Sequence, residues 1–187
     1  MAKQSSRRAL AASTRIEPIR VEAAGRWWTI PKLPAADWIL AVSEDEPVTA
    51  VFPGLLNDAG AEHVGDMLVR GTFPVDHLRN AAFSAIKQAS GWNWWEAMRL
   101  VGMADAQPEV VGELTLRGLD PESVPFGRWC HAVYALATKN LDEKERAKFE
   151  AKFTFPPEGF EEDEDAGMSF ESMVQGFRNL PGARLGG

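Results

Sequence analysis

Gly91-Trp-Asn-Trp-Trp-Glu-Ala-Met-Arg-Leu-Val-Gly-Met103 is the stretch around which the fold has to be built. Three of the chain's seven tryptophans fall here within four residues. Wound as a helix, the segment sets Asn93, Glu96 and Arg99 three residues apart, on one thin polar stripe. Trp92, Trp94, Trp95, Ala97, Met98, Leu100, Val101 and Met103 cover nearly all the rest. A helix that is apolar almost all round is central in a core or waits for a partner. Each tryptophan can bury roughly 150–250 Å², so whatever lies against this segment dominates the fold. The expectation is a core helix, with Trp94, Trp95 and Trp129 buried beside Leu100, Val133 and Leu136. The alternative is a recognition surface, because tryptophan is also enriched in binding hot spots.

On the C-terminal side, Asp105 and Pro108 open a helix that Gly118 ends, and residues 120–125 form a connector. Phe126 to about Thr138 repeats Phe126, Trp129, Val133 and Leu136 at helical spacing. Asp142 with Glu145 makes an Asp variant of a capping box for a helix to about Phe153. Lys144, Lys148 and Lys152 line one face of it.

On the N-terminal side, Thr72-Phe-Pro starts a helix whose inward set is Val75, Leu78, Ala82, Ile86 and Ala89. Asp58 can cap a helix to Arg70 that carries Val64, Met67 and Leu68 inward, with Gly71 as its stop. Val48 to Leu56 is apolar but broken by Pro53-Gly54, and Pro34 to Val42 reads as a short helix. Upstream of Pro31 the period changes to two. Ile19 and Val21 alternate with Arg20 and Glu22, Ala24-Gly25 supplies a turn, and Trp28 with Ile30 gives the return face of a hairpin. A lone hairpin is marginal in water, so Trp27 or Trp28 must dock on the helices or on another chain.

These elements predict a mainly α protein: one helical domain over residues 17–159 with a small N-terminal β-hairpin and flexible termini. Residues 1–16 read as a mobile basic arm and residues 160–187 as a flexible acidic tail. Within that tail, Phe170, Met173, Val174 and Phe177 mark a short amphipathic helix.

The 187 residues carry a net charge of −7, unevenly placed. Residues 1–20 hold five bases and one acid, whereas residues 140–171 hold four bases and eleven acids. An acidic chain without a basic face is a poor nucleic-acid binder, which needs Lys and Arg to displace phosphate counterions. Cys130 is the single cysteine, so an intramolecular disulfide and a four-cysteine zinc site are both excluded. No run reaches the ~18 apolar residues of a membrane span, and no apolar core follows Arg7-Arg8 to make a secretory signal. The expectation is a soluble intracellular protein that contacts no membrane.

Catalytic and cofactor signatures are missing. His63 and His77 lack partners at metal-ligand spacing and read as helix-surface residues. Cys130 and His131 are adjacent on one helix and point about 100° apart, unlike a nucleophile and its base. Cys130 beside Trp129 reads as a small buried hydrophobe. The chain has no G-x-S-x-G, H-E-x-x-H, P-loop or G-x-G-x-x-G, and the acidic run lacks the order of a calcium loop. These absences point to a non-enzymatic protein that works by binding, with no metal and no cofactor.

The order of segments carries a resemblance. A Val-x-x-x-Gly-Arg-x-Trp hairpin at Val21–Trp28 leads to Ile30-Pro31, Ala36-Asp37-Trp38 and Pro53-Gly54-Leu55-Leu56. The Gly91–Ala97 tryptophan block, Phe126-x-x-Trp129, and Phe149 and Phe153 before Pro156-Pro157 then follow. From about Val21 to Pro157 the chain resembles the tail assembly chaperones of long-tailed bacteriophages, particularly those infecting actinobacteria. The resemblance implies a factor of the host cytoplasm that coats the tape-measure protein, a long apolar helical rod. It also implies recruitment of tail-tube subunits to that rod, and absence from the finished particle. A structural virion component, such as a small connector or capsid-associated protein, is the competing expectation.

The candidate partner-binding residues are Trp27, Trp28 and Trp92, the tail residues Phe170, Met173 and Phe177, and the Lys144, Lys148 and Lys152 face. The acidic tail can steer encounter with a basic surface. Its apolar residues can then anchor as a helix in a groove of a tube subunit or of a second copy of this chain.

Overall fold

A computed structural model describes residues 16–43 and 52–156. The expectations for the mobile arm over residues 1–15 and for the acidic tail, including its amphipathic helix, lie outside these residues. So does the part of the apolar segment before Phe52.

The described chain begins with an antiparallel hairpin, β1 (Ile19–Ala23) and β2 (Arg26–Ile30). Ala24 and Gly25 both take positive φ, 51° and 69°, the conformation that a two-residue turn needs to match strand twist. Ile19 pairs with Ile30, Val21 with Trp28 and Ala23 with Arg26. The inner face buries Val21, Ala23, Trp28 and Ile30. The outer face carries Arg20, Glu22, Trp27 and Thr29, all exposed.

The main helices among the described residues are α1 (Ala35–Ser43), α2 (Asp58–Val69), α3 (Val75–Ser90), α4 (Trp94–Ala106), α5 (Pro108–Leu116), α6 (Phe126–Thr138) and α7 (Glu143–Thr154), with a further helical turn over residues 52–54. The protein is therefore mostly helical with one small N-terminal hairpin, as its periodicity requires. α4, the tryptophan helix, packs on α1, α3, α5, α6 and α7. It is the hub. Trp94, Trp95, Ala97, Leu100, Val101 and Ala104 are all buried along it, and β1 lies along α3.

Local chemistry explains most of the boundaries. Gly91 closes α3 in the left-handed conformation at φ 79°, its N–H donating to the Lys87 carbonyl, a backbone state open to glycine at little cost. That stop moves the start of α4 to Trp94, with Asn93 and Glu96 forming a capping box. Trp92 and Asn93 are thus in the joint between helices and not on α4. Asn57, not Asp58, caps α2, accepting from the Gly60 N–H at 2.9 Å. Asp142 and Glu145 make the capping box that their spacing predicts for α7.

The N-terminus of α1 is satisfied by a distant connector. Ala35 N–H donates to the Val124 carbonyl at 2.9 Å and Ala36 N–H to the Pro121 carbonyl at 3.0 Å. Beside this joint Trp38 stacks on Phe126, with ring centres 6.0 Å apart and planes within 9°. Some expected core positions differ. Val75, in the first turn of α3, is exposed. Leu136 and Ala89 are only partly buried at the edge of the core.

Candidate protein-binding surface

The polar stripe of α4 faces protein. Nη1 of Arg99 lies 2.7 Å from the Lys152 carbonyl, 2.6 Å from that of Phe153 and 2.8 Å from that of Phe155. Nε1 of Trp95 donates to the Thr154 carbonyl at 3.2 Å. The last carbonyls of a helix have no intrahelical donor and carry its partial negative charge. A guanidinium there neutralises them, so α4 clamps the end of α7. Glu96 is buried at 7 % exposure and binds the Asn93 N–H at 2.8 Å. Burial raises its carboxyl above the usual range, against the pull of the Asn93 hydrogen bonds and the Arg99 charge. Burial also lowers the Arg99 guanidinium, with Glu96 opposing.

Beside the clamp is an aromatic cluster. Trp92 meets His131 and Tyr134 at 5.2 Å and Phe153 edge-on at 5.4 Å. Phe149 stacks on Phe153 at 5.5 Å. Such contacts hold the otherwise highly charged α7 to α6 and to the α3–α4 joint. Nε1 of Trp92 and Nε2 of His131 are shut off from solvent without a hydrogen-bond partner. Desolvation accordingly holds the His131 imidazole below its usual range.

The candidate binding residues divide on this geometry. Trp28 is core, not surface: its ring lies 5.9 Å from Phe52, 5.7 Å from His63 and 6.0 Å from Phe73. Its Nε1 donates to the Ala23 carbonyl at 3.1 Å. Strand alternation decides this, since docking the inner face of β2 takes Trp28 inward and leaves Trp27 outward. Trp92 is half-buried, and the aromatic cluster occupies its ring. Trp27 is 68 % exposed and remains a surface residue. Lys144, Lys148 and Lys152 are exposed on α7, well away in sequence from Trp27. Phe170, Met173 and Phe177 lie outside the described residues.

Sequence reasoning missed the further apolar surface at Leu40, Val69, Leu116 and Phe155, each at least 66 % exposed. Only a mismatch with the inward positions of their helices could have marked Leu40, Val69 and Leu116, and Phe155 follows the end of α7 in extended backbone. It also missed two polar contacts that tether the hairpin. His77 Nδ1 accepts from the Ala24 N–H at 3.1 Å, and Gln88 Nε2 donates to the Arg20 carbonyl at 3.2 Å. A cleft lies where Ile16–Ile19 passes Trp38, Ala89 and Phe126.

Among the described residues, no group of three His, Cys, Asp or Glu side chains is placed to hold a metal ion. No described helix is long and apolar enough to cross a membrane. Cys130 is fully buried and desolvation pushes its thiol well above the ordinary range, where it behaves as an apolar side chain. No family model matches the chain, and neither a curated protein nor a solved structure does so.

Proposed function

We propose that this protein is a non-enzymatic assembly chaperone for the tail of a long-tailed bacteriophage. In this reading it binds the tape-measure protein in the host cytoplasm and brings tail-tube subunits to it. The observation that carries the reading is the role of the residues in the resembling pattern. Val21, Trp28, Trp38, Leu55, Trp94, Trp95, Trp129 and Phe153 are all buried, so the pattern prescribes a scaffold. A likeness carried by the residues that build a fold supports a shared scaffold more strongly than one carried by variable surface.

The physical demands of the task agree with that scaffold. A helical rod too apolar to stay dispersed alone needs a partner that offers apolar side chains of its own. Trp27, Leu40, Leu116 and Phe155 supply them. The net charge of −7 keeps an assembly of rod and chaperone dispersed. Contacts repeated along a rod gain avidity, so modest affinity at each suffices.

Mass spectrometry of purified particles beside a pull-down from infected cells tests the proposal. Recovery of the chain with the tape-measure protein in the cell, and its absence from particles, is the expected pair of results. Stoichiometric presence in particles would replace the reading with a structural virion component.

A further inference from the structure

We propose that β2 is a docking edge for a second copy of this chain, forming a continuous four-stranded sheet across a two-fold axis at Trp28. The hairpin register leads to it. With a two-residue turn after Ala23, the residues that exchange backbone hydrogen bonds are Ala23 with Arg26, Val21 with Trp28 and Ile19 with Ile30. The N–H and C=O groups of Arg20 and Glu22 then point away on one edge, and those of Trp27 and Thr29 on the other.

The two edges are treated differently. β1 runs along α3, which supplies Gln88 to the Arg20 carbonyl and His77 to the Ala24 N–H at the turn. On the β2 edge, among the described residues, no hydrogen bond reaches the backbone of Trp27 or Thr29. An edge that the described residues leave open is a template for another strand, and proteins that avoid pairing blunt it with proline, lysine or a bulge. Between Trp27 and Thr29 none of these intervenes, and Trp27 stands 68 % exposed beside the edge.

Self-complementarity selects the occupant. The two unpaired residues are separated by one, so an antiparallel copy turned about Trp28 sets Trp27 opposite Thr29 of its mate, and Thr29 opposite Trp27. All four N–H groups and all four C=O groups are then aimed at one another. On the outer face each rung reads Glu22, Trp27, then Thr29 and Arg20 of the second copy. Neutral residues meet at the seam and the outer charges are opposite in sign, so no like charges face each other. A seam this short makes a weak dimer, one that the net charge of −7 further opposes at low salt.

The test is sedimentation of the full chain over a concentration series reaching roughly 200 µM, a range suited to a weak dimer. Two variants accompany it. Thr29→Pro removes an N–H that points away from β1, a position where edge strands tolerate proline. Trp27→Lys places a charge at the seam. The wild type should dimerise, more tightly as salt rises, with the Trp27 and Thr29 amides gaining exchange protection as concentration increases. Both variants should raise Kd at least about tenfold with unchanged helical circular dichroism, and Trp27→Lys alone decides the matter if Thr29→Pro misfolds. A wild type that stays monomeric throughout the series overturns the proposal. So does a dimer indifferent to the variants, or a monomer that protects those amides only with another protein's strand.

Discussion

Trp27 and Trp28 are neighbours in sequence and opposites in environment, 68 % and 8 % exposed on the two faces of β2. The outer tryptophan sits across from Glu22 and the inner from Val21. Strand alternation alone separates them, and the inner one joins Phe52 and Phe73 to bind the hairpin to the segment around α2.

Truncating the two should therefore give unequal results. Trp28→Ala is expected to destabilise by about 3–5 kcal/mol, the range for a buried large aromatic. At concentrations low enough to keep the chain monomeric, Trp27→Ala should stay within about 0.5 kcal/mol, as for an exposed position away from special contacts. Urea denaturation followed by circular dichroism measures both. Equal losses would show that the outer tryptophan is packed in solution.

The Arg99 clamp gives a second expectation. Replacing Arg99 by Met removes the cation from the end of α7 and leaves its carbonyls without their donor. Hydrogen bonds to a charged group typically contribute about 1.5–3 kcal/mol, so a loss of that size is expected. Hydrogen exchange localises it: amides over residues 149–155 should exchange faster while those of α4 stay protected. If protection falls evenly over the whole molecule, α7 is not a separately held element.

How far the sequence can be read follows from the same residues. Apolar period marks α6 over Phe126–Thr138, and the Asp142–Glu145 spacing marks the start of α7. Both signals are local. The tryptophan block is legible as core, yet its helix starts later than its composition suggests, because Gly91 serves as the C-cap of α3. The partner of the Asn93–Glu96–Arg99 stripe is illegible. Arg99 and the carbonyl of Phe153 are 54 positions apart, and backbone carbonyls leave no trace in side-chain composition. Trp28 stands among the binding candidates because period two says which residues share a face, and does not say which face is covered.

Stability should also carry the signature of His131. Its folded pKa is held below the ordinary value near 6.5 by desolvation, so the unfolded chain binds the proton more readily. Its contribution is present above the unfolded pKa and is lost as pH falls through the lower folded one. Glu96 acts in the opposite sense. Its carboxyl is raised, so its contribution is present below the unfolded carboxylate value and lost as pH rises through the folded one. Comparison with His131→Phe isolates the histidine. Between about pH 7 and pH 5 the wild type should lose stability relative to the variant. Parallel curves would mean that His131 does not change protonation on unfolding.

The most direct test of the proposed function is the solubility of a tape-measure protein in the presence of this chain. A tape-measure protein is expressed alone and together with the chain, and the soluble fraction is passed through a sizing column. The account predicts an insoluble rod when alone, and a soluble rod that elutes together with the chain when both are present. A rod that stays equally insoluble, or that elutes free of the chain, would contradict it.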